Sequence, residues 1–295
     1  MKILFWGITD GVESHTPVFI WCIANMRYSM QLRDQLKGII PETVLCHLSN
    51  RFDVIGNIAI LHLPTELNSY RHTIAGTIIS RRRAIHTVLD KVTKLEGGDR
   101  TAHYDILVGS GTITTHHEYG YSYRLDVKKV FFNPGLATER KRVTDQVQPG
   151  ETVLVPFSGA GPFVIPAAAR GAYVVAIEQN PDACRWFTEN CHLNGVADHI
   201  SLISGDAFDI SYLRHRMFDR AIIPTPYGKD RCLELFAPFV RKEGMIHFYT
   251  FKKRTDIEPL TKEFETMGFD VVTKRRCGNV APSVSRWVFD LRKNR

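Results

Sequence analysis

The second half of the chain alternates between two hydrophobic periods. Residues 152–155, 173–177, 200–203, 220–223 and 244–251 are short apolar, β-rich runs of the length of buried strands. Between them, residues 165–170 and 233–240 have helical spacing, and a helix runs from Pro181 to about Asn194, closed by Gly195. Residues 257–267 read as a further helix, and 269–274 and 286–291 as closing strands. Strands alternating with helices predict an α/β sheet whose ligand crevice lies at the carboxyl ends of its strands.

The first half is less regular. Residues 1–50 yield only a short helix over 28–36, with Pro17 and Pro41 as punctuation. Residues 51–64 predict a strand pair or a bent strand, with Gly56 at the bend. Residues 70–91 read as a helix with Ile74, Ile78, Ile85 and Leu89 at core spacing, broken afterwards by Gly97-Gly98. Its polar side carries Arg81, Arg82 and Arg83, a run that is ordinarily a solvated face. Residues 106–108, 112–117 and 121–127 predict strands. His116 and His117 point to opposite faces of one of them, so with Glu118 they make no chelating site and are read as structural. A helix over 137–147 follows Asn133-Pro134 and ends at Gln148-Pro149-Gly150. The expected division is an unassigned segment 1–50, a small α/β domain 51–132 and a ligand-binding domain 133–295.

The candidate chemistry sits where the strand over 152–155 opens into Phe157-Ser-Gly-Ala-Gly-Pro-Phe163. Gly159 and Gly161 allow a tight turn and close approach of a ligand. The next strand ends in Glu178, near the roughly 20-residue separation expected of a ribose-binding carboxylate in a nucleotide-binding βαβ unit. Asp206, after the third strand, falls beside it along the same edge. Gly-x-Gly alone is as readily a structural turn; the strand, loop, helix, strand, acid order raises the nucleotide reading. The loop lacks the third glycine of Gly-x-Gly-x-x-Gly, which argues against NAD and a pyrophosphate. It suits S-adenosylmethionine (SAM), which carries ribose and adenine but no phosphate.

Composition narrows the class only slightly. A chain of 295 residues with 44% hydrophobic and 23% charged residues is that of a globular protein. A net charge of +7 permits a polyanionic partner. The six cysteines form no Cys-x-x-Cys pair and read as reduced, cytoplasmic thiols, not a disulfide frame or a metal site. The apolar run 18–24 is too short to span a bilayer, and residues 1–7 make no convincing signal peptide.

Several dispersed segments, in order, carry a family resemblance: Phe52-Asp-Val-Ile-Gly-Asn-Ile-Ala-Ile-Leu61, the turn from Gly97 to Arg100, Leu125-Asp-Val-Lys-Lys-Val-Phe-Phe132, Thr138-Glu139-Arg140, the glycine loop, and Ala176-Ile-Glu-Gln-Asn-Pro181. From about Arg51 onward the chain resembles the archaeal and eukaryotic tRNA guanosine-37 N1-methyltransferases. That family includes the wybutosine-pathway enzyme that transfers the aminocarboxypropyl group of SAM. The resemblance implies a class I SAM-dependent methyltransferase sheet, Rossmann-like, preceded by a small α/β domain. It also implies SAM as cofactor and the tRNA anticodon loop as partner, with no metal and no membrane.

By position, the resemblance places Arg100 at the domain junction near the reacting base and the pair Glu139-Arg140 beside the active site. It places Phe157, Gly159, Gly161, Glu178, Asn180, Asp206 and Pro224 around the cofactor. A carboxylate can take the guanine N1 proton while guanidinium groups stabilise charge on O6; the competing reading of Glu139 and Arg140 is a surface salt bridge at a helix start. Two positions depart from the family pattern. Val155-Pro156-Phe157 stands where Asp-x-Phe is usual, and Pro224-Thr225-Pro226 where the methylating branch shows Asn-x-Pro. The expected function is N1-methylation of guanosine 37. Aminocarboxypropyl transfer and a non-catalytic tRNA-binding role are the alternatives. The phosphates would meet basic residues among Arg81 to Arg83, Lys252 to Arg254 and Lys274 to Arg276.

Overall fold

The computed structural model of the protein describes residues 31–93, 102–229 and 231–294. The expected α/β architecture is present as two sheets joined by a hairpin. The first sheet has four strands in the order β1-β2-β3-β4: β1 (Asp53–Ile55), β2 (Ile58–Leu61), β3 (Thr87–Lys91) and β4 (Tyr104–Val108). Three helices accompany it, α1 (Leu32–Leu36), α2 (Glu42–Leu45) and α3 (Arg71–Arg81). Residues 51–64 are thus an antiparallel strand pair. Gly56 turns between the strands at φ 54°, where an added Cβ would lie 2.1 Å from Thr114 Oγ1. Only glycine fits so close a crossing.

One predicted element is corrected. Residues 70–91 are not one helix: α3 stops at Arg81, and Thr87–Lys91 is a buried strand between β2 and β4. Ile85 and Leu89 are four apart, which a helix face and a doubly buried strand satisfy equally, so periodicity could not separate them. The predicted break at Gly97-Gly98 lies outside the described residues.

The hairpin β5 (Ile113–Glu118) and β6 (Tyr121–Asp126) leads to α4 (Ala137–Thr144) and then to a seven-stranded sheet. Its strands are β7 (Thr152–Pro156), β8 (Tyr173–Glu178), β9 (Ile200–Ser204), β10 (Phe218–Ile223), β11 (Val240–Lys253), β12 (Phe269–Ala281) and β13 (Val284–Lys293). Helices α5 (Val164–Ala169), α6 (Pro181–Leu193), α7 (Cys232–Phe236) and α8 (Ile257–Thr266) connect them. The order is β12-β13-β11-β10-β7-β8-β9, with β13 antiparallel to both its neighbours. The chain winds outward from β7 to β9, then returns to place β10 on β7's other side, and the crevice opens at this switch.

Period-two burial assigns the faces. Val153, Val155, Ile222, Tyr249 and Val288 pack into one core, and Leu154, Ala221, Phe248 and Phe289 into a second on the opposite face. The first core continues through Tyr123 and Leu125 of the hairpin to Ile55, Ile60 and Leu89 of the small sheet, so apolar packing locks the two sheets together. β11, β12 and β13 are longer than predicted. β11 begins at Val240, because the helix expected over 233–240 ends at Phe236 in α7 and Ala237–Phe239 form a 3-10 turn containing Pro238.

Candidate functional site

The ends of β7, β8, β9 and β10 converge on the glycine loop. Phe157 leaves β7 in a left-handed conformation (φ 56°), its ring against Phe208 (5.4 Å) and Phe236 (5.9 Å). A bulky residue held at positive φ is a strained turn of the kind that recurs at ligand sites. Gly159 (φ 57°) faces open space: an added Cβ would meet only the Phe131 carbonyl, at 3.9 Å. Gly161 (φ 90°) is different, because its Cβ would strike the Phe187 ring at 2.9 Å. Gly161 therefore also lets α6 pack against the loop.

Glu178 at the end of β8 accepts from the Gly159 N–H (2.7 Å) and the Asn180 N–H (2.9 Å), one on each carboxylate oxygen. It thereby ties the loop to the start of α6, at the strand end where a carboxylate can accept from a ribose hydroxyl. Asn180 is the N-cap of α6. Its Oδ1 accepts from the Asp182 and Ala183 N–H groups while its Nδ2 donates to the Lys129 carbonyl. That side chain builds the site's wall. Asp206, beyond β9, is exposed, and Pro224, beyond β10, is half-buried. Ser158, within the loop, is 4% exposed and its Oγ has no hydrogen-bond partner among the described residues. A buried hydroxyl without a partner is costly unless a ligand satisfies it. The residues present therefore fit a nucleoside-bearing cofactor such as SAM.

The other predicted residues gather on α4 and β11. Asn133 accepts from the Gly135 N–H and sets the turn into α4, whose buried face is Glu139, Arg140, Val143 and Thr144. Neither Glu139 nor Arg140 is a surface residue. The Arg140 guanidinium pairs with both oxygens of Glu118 (2.7 and 2.5 Å), donates to the Asn133 carbonyl (3.0 Å) and lies over the Phe132 ring. With those donors engaged, Arg140 fixes the hairpin to α4. Glu139 accepts from Arg142 and from the Tyr249 hydroxyl (3.1 Å), with Arg275 Nη1 3.7 Å from its Oε2. The Tyr249 ring packs on Phe163 of the glycine loop (5.5 Å). One aromatic pair thus separates Glu139 from the loop. Arg100 lies outside the described residues.

Sequence reading missed Ser158, Tyr249, Arg142 and the chain of polar residues behind them. Arg142 also donates to Asp290 (2.6 and 3.0 Å), and Asp290 accepts from His247 Nδ1 (2.7 Å). A guanidinium only donates, so His247 Nε2 accepts from Arg220 (2.7 Å), which fixes a neutral, Nδ1-protonated imidazole. Arg220 pairs in turn with Glu151. Only the register of β11 on β13 brings His247 opposite Asp290, and no linear spacing signals it.

Burial holds the His247 pKa below its ordinary 6.5, against the opposing pull of Asp290. The unfolded chain therefore binds a proton that the folded one refuses. Stability is complete above pH about 6.5 and is lost as pH falls from there through the folded value. His247→Gln keeps one donor and one acceptor but cannot titrate. The variant's melting temperature should fall less than the wild type's between about pH 7.5 and about pH 5.5. Equal losses in thermal melts would place the acid sensitivity elsewhere.

Comparison with known proteins follows this layout. Residues 114–273 match the TRM5/TYW2 methyltransferase domain and residues 32–112 the TYW2 N-terminal domain. The chain is 34% identical over 262 residues to the tRNA (guanine(37)-N(1))-methyltransferase Trm5b of Pyrococcus abyssi, covering 86% of this chain and 78% of that one. It is 32% identical over 273 residues to the tRNA(Phe) (4-demethylwyosine(37)-C(7)) aminocarboxypropyltransferase of Pyrococcus horikoshii, covering 89% and 96%. Among solved structures it is similar to that of aTrm5 in complex with tRNALeu (TM-score 0.80, 26% identity, 90% of this chain and 78% of that one). It is also similar to Methanocaldococcus jannaschii TYW2 in complex with AdoMet (TM-score 0.60, 26% identity, 83% and 100%).

Proposed function

Because the chain belongs to the TRM5/TYW2 methyltransferase family, we propose that it transfers a group from SAM to the purine at position 37 of tRNA, with N1-methylation of guanosine 37 as its reaction. The observation that carries this reading is the buried carboxylate of Glu139, held by Tyr249 one ring away from the glycine loop. SAM supplies an electrophilic methyl carbon on a sulfonium. Glu178 holds the ribose, Ser158 offers its unpartnered hydroxyl, and Gly159 leaves room for both.

Guanine N1 is protonated at neutral pH and a poor nucleophile. Glu139 takes that proton, the N1 lone pair bonds to the methyl carbon, and the electron pair of the broken C–S bond remains on sulfur. Arg142, Tyr249 and the His247–Asp290 pair hold the carboxylate in place, so no reorganisation is needed at the moment of reaction. An anticodon-loop nucleotide leaves its stack at low cost. Lys253, Arg254, Arg275 and Arg276 are exposed at this end of β11 and β12, where they can neutralise phosphates of the loop.

Two observations favour aminocarboxypropyl transfer as a second reading. Pro224 stands where the methylating branch has Asn. Residues 32–112 match the N-terminal domain described for TYW2. Incubating the protein and SAM with tRNA carrying guanosine 37, and in parallel with tRNA carrying the tricyclic wybutosine precursor at that position, then weighing the digested nucleosides, separates the two. A gain of one methyl mass on guanosine is expected; an aminocarboxypropyl gain on the tricyclic precursor selects the second reading. Unchanged nucleosides, or tRNA affinity indifferent to salt, would overturn both.

A further inference from the structure

The two edges of the seven-stranded sheet differ in kind. β12, at one edge, carries Asp270, Lys274, Arg275 and Arg276, and its register on β13 breaks at three places. Charges and irregular register are the usual means by which an edge strand is kept from pairing with another chain. β9, at the other edge, reads Ile200-Ser-Leu-Ile-Ser204, with no charge and no proline. It pairs on one side only, in parallel with β8. None of its five residues is buried. Along its outer side its backbone N–H and C=O groups meet no partner among the described residues.

Both ends of β9 add to this. At its amino end lies a cavity of about 430 Å³, whose lining includes Tyr173, Asp198, His199, Ser201, Arg216 and Met217. Tyr173 and Met217 are exposed, and the His199 ring lies 5.3 Å from that of Tyr173. His199 Nδ1 is buried without a hydrogen-bond partner among the described residues, a cost that an incoming polar group removes. Beyond the carboxyl end Phe208, Ile210 and Tyr212 are exposed, the Tyr212 hydroxyl lying against Gly205. Apolar groups gathered at an open strand edge mark an interaction surface. Two exposed acids, Asp198 and Asp206, stand at its two ends, eight residues apart.

We propose that β9 is a docking edge for an extended segment of a partner protein, apolar at alternate positions and with a lysine or arginine at each end, which adds one more strand to the sheet. Backbone hydrogen bonds along the outer side of β9 supply affinity, and the cavity beside His199 takes a side chain of that segment. The basic ends face Asp198 and Asp206. A second copy of this chain fits poorly. Paired antiparallel about Leu202, it sets its Asp206 against Asp198; paired in parallel register, it sets each acid against itself. Like charges opposite each other destabilise a strand pair. The phosphates of an RNA meet the same acids. The inference does not depend on which nucleoside the protein modifies.

The test uses the full chain and, as probe, a disulfide-closed hairpin peptide whose free edge alternates Thr and Val between two Lys set at the spacing of Asp198 and Asp206. Amide hydrogen exchange over residues 200–204, read by mass spectrometry, should slow by about 10-fold with the hairpin bound, the effect of roughly one net hydrogen bond. The same hairpin N-methylated along its free edge keeps its apolar surface but loses its donors, and should bind about 10-fold more weakly. Exchanging its Lys for Glu, or Asp198→Lys in the protein, should weaken binding by about 3–10-fold. Asp198 is exposed, so this variant should melt as the wild type does. Unchanged exchange over 200–204 would overturn the proposal. So would equal binding of the N-methylated hairpin, which marks apolar adhesion, or of the Glu form, which removes the charge match. A dimer of the protein alone in sedimentation, with 200–204 already protected, gives the edge to a second copy, and the same protection from tRNA gives it to RNA; either result overturns the proposal as well.

Discussion

Glu139→Gln is expected to slow single-turnover transfer to tRNA by about 10²–10⁴-fold, the range a positioned general base contributes. The amide has the shape of the carboxylate and still accepts from the Tyr249 hydroxyl, so the wall of the site survives. Arg142 keeps its two bonds to Asp290, which leaves no buried cation unpaired. SAM affinity should stay near wild type, because the carboxylate lies on the far side of the Phe163–Tyr249 pair from the glycine loop. Calorimetric titration with SAM and a quenched-flow time course on tRNA read the two quantities separately. An unchanged time course would make Glu139 a tether for Arg142 and nothing more.

Arg140→Ala should act on the fold before it acts on the chemistry. The Arg140 and Glu118 side chains are 2% and 5% exposed. Removing one partner strands a buried carboxylate and costs about 3–5 kcal/mol. The released groups are those that hold the β5–β6 hairpin to α4, so chemical denaturation should show a large drop in midpoint. Replacing both partners, Arg140→Met with Glu118→Met, removes the stranded charge and should restore most of the stability. If the double variant is as unstable as the single one, the pair is worth more than its packing and charge geometry implies. If the single variant is as stable as wild type, the hairpin is held by its apolar contacts through Tyr123 and Leu125.

Sequence alone determined the class of this protein. The alternation of apolar runs and helical spacing after residue 152 is the sheet itself. The order of strand, glycine loop, helix, strand and acid placed Glu178 at a strand's carboxyl end, because period and chain direction settle where such residues fall. The dispersed family segments were equally local and therefore legible. What sequence could not determine is which polar groups meet across the sheet. Glu118 and Arg140 are 22 residues apart, His247 and Asp290 43, Arg142 and Asp290 148. Such pairs exist only through strand register and the docking of α4. Periodicity also left residues 70–91 open, since Ile85 and Leu89 suit a helix face and a doubly buried strand alike. Burial is likewise a tertiary property. It turned Glu139 and Arg140 from an apparent surface pair into an interior one and set Gly161 against the Phe187 ring. A side chain's free energy depends on how much water it loses and which partners replace that water, and only the folded chain decides both.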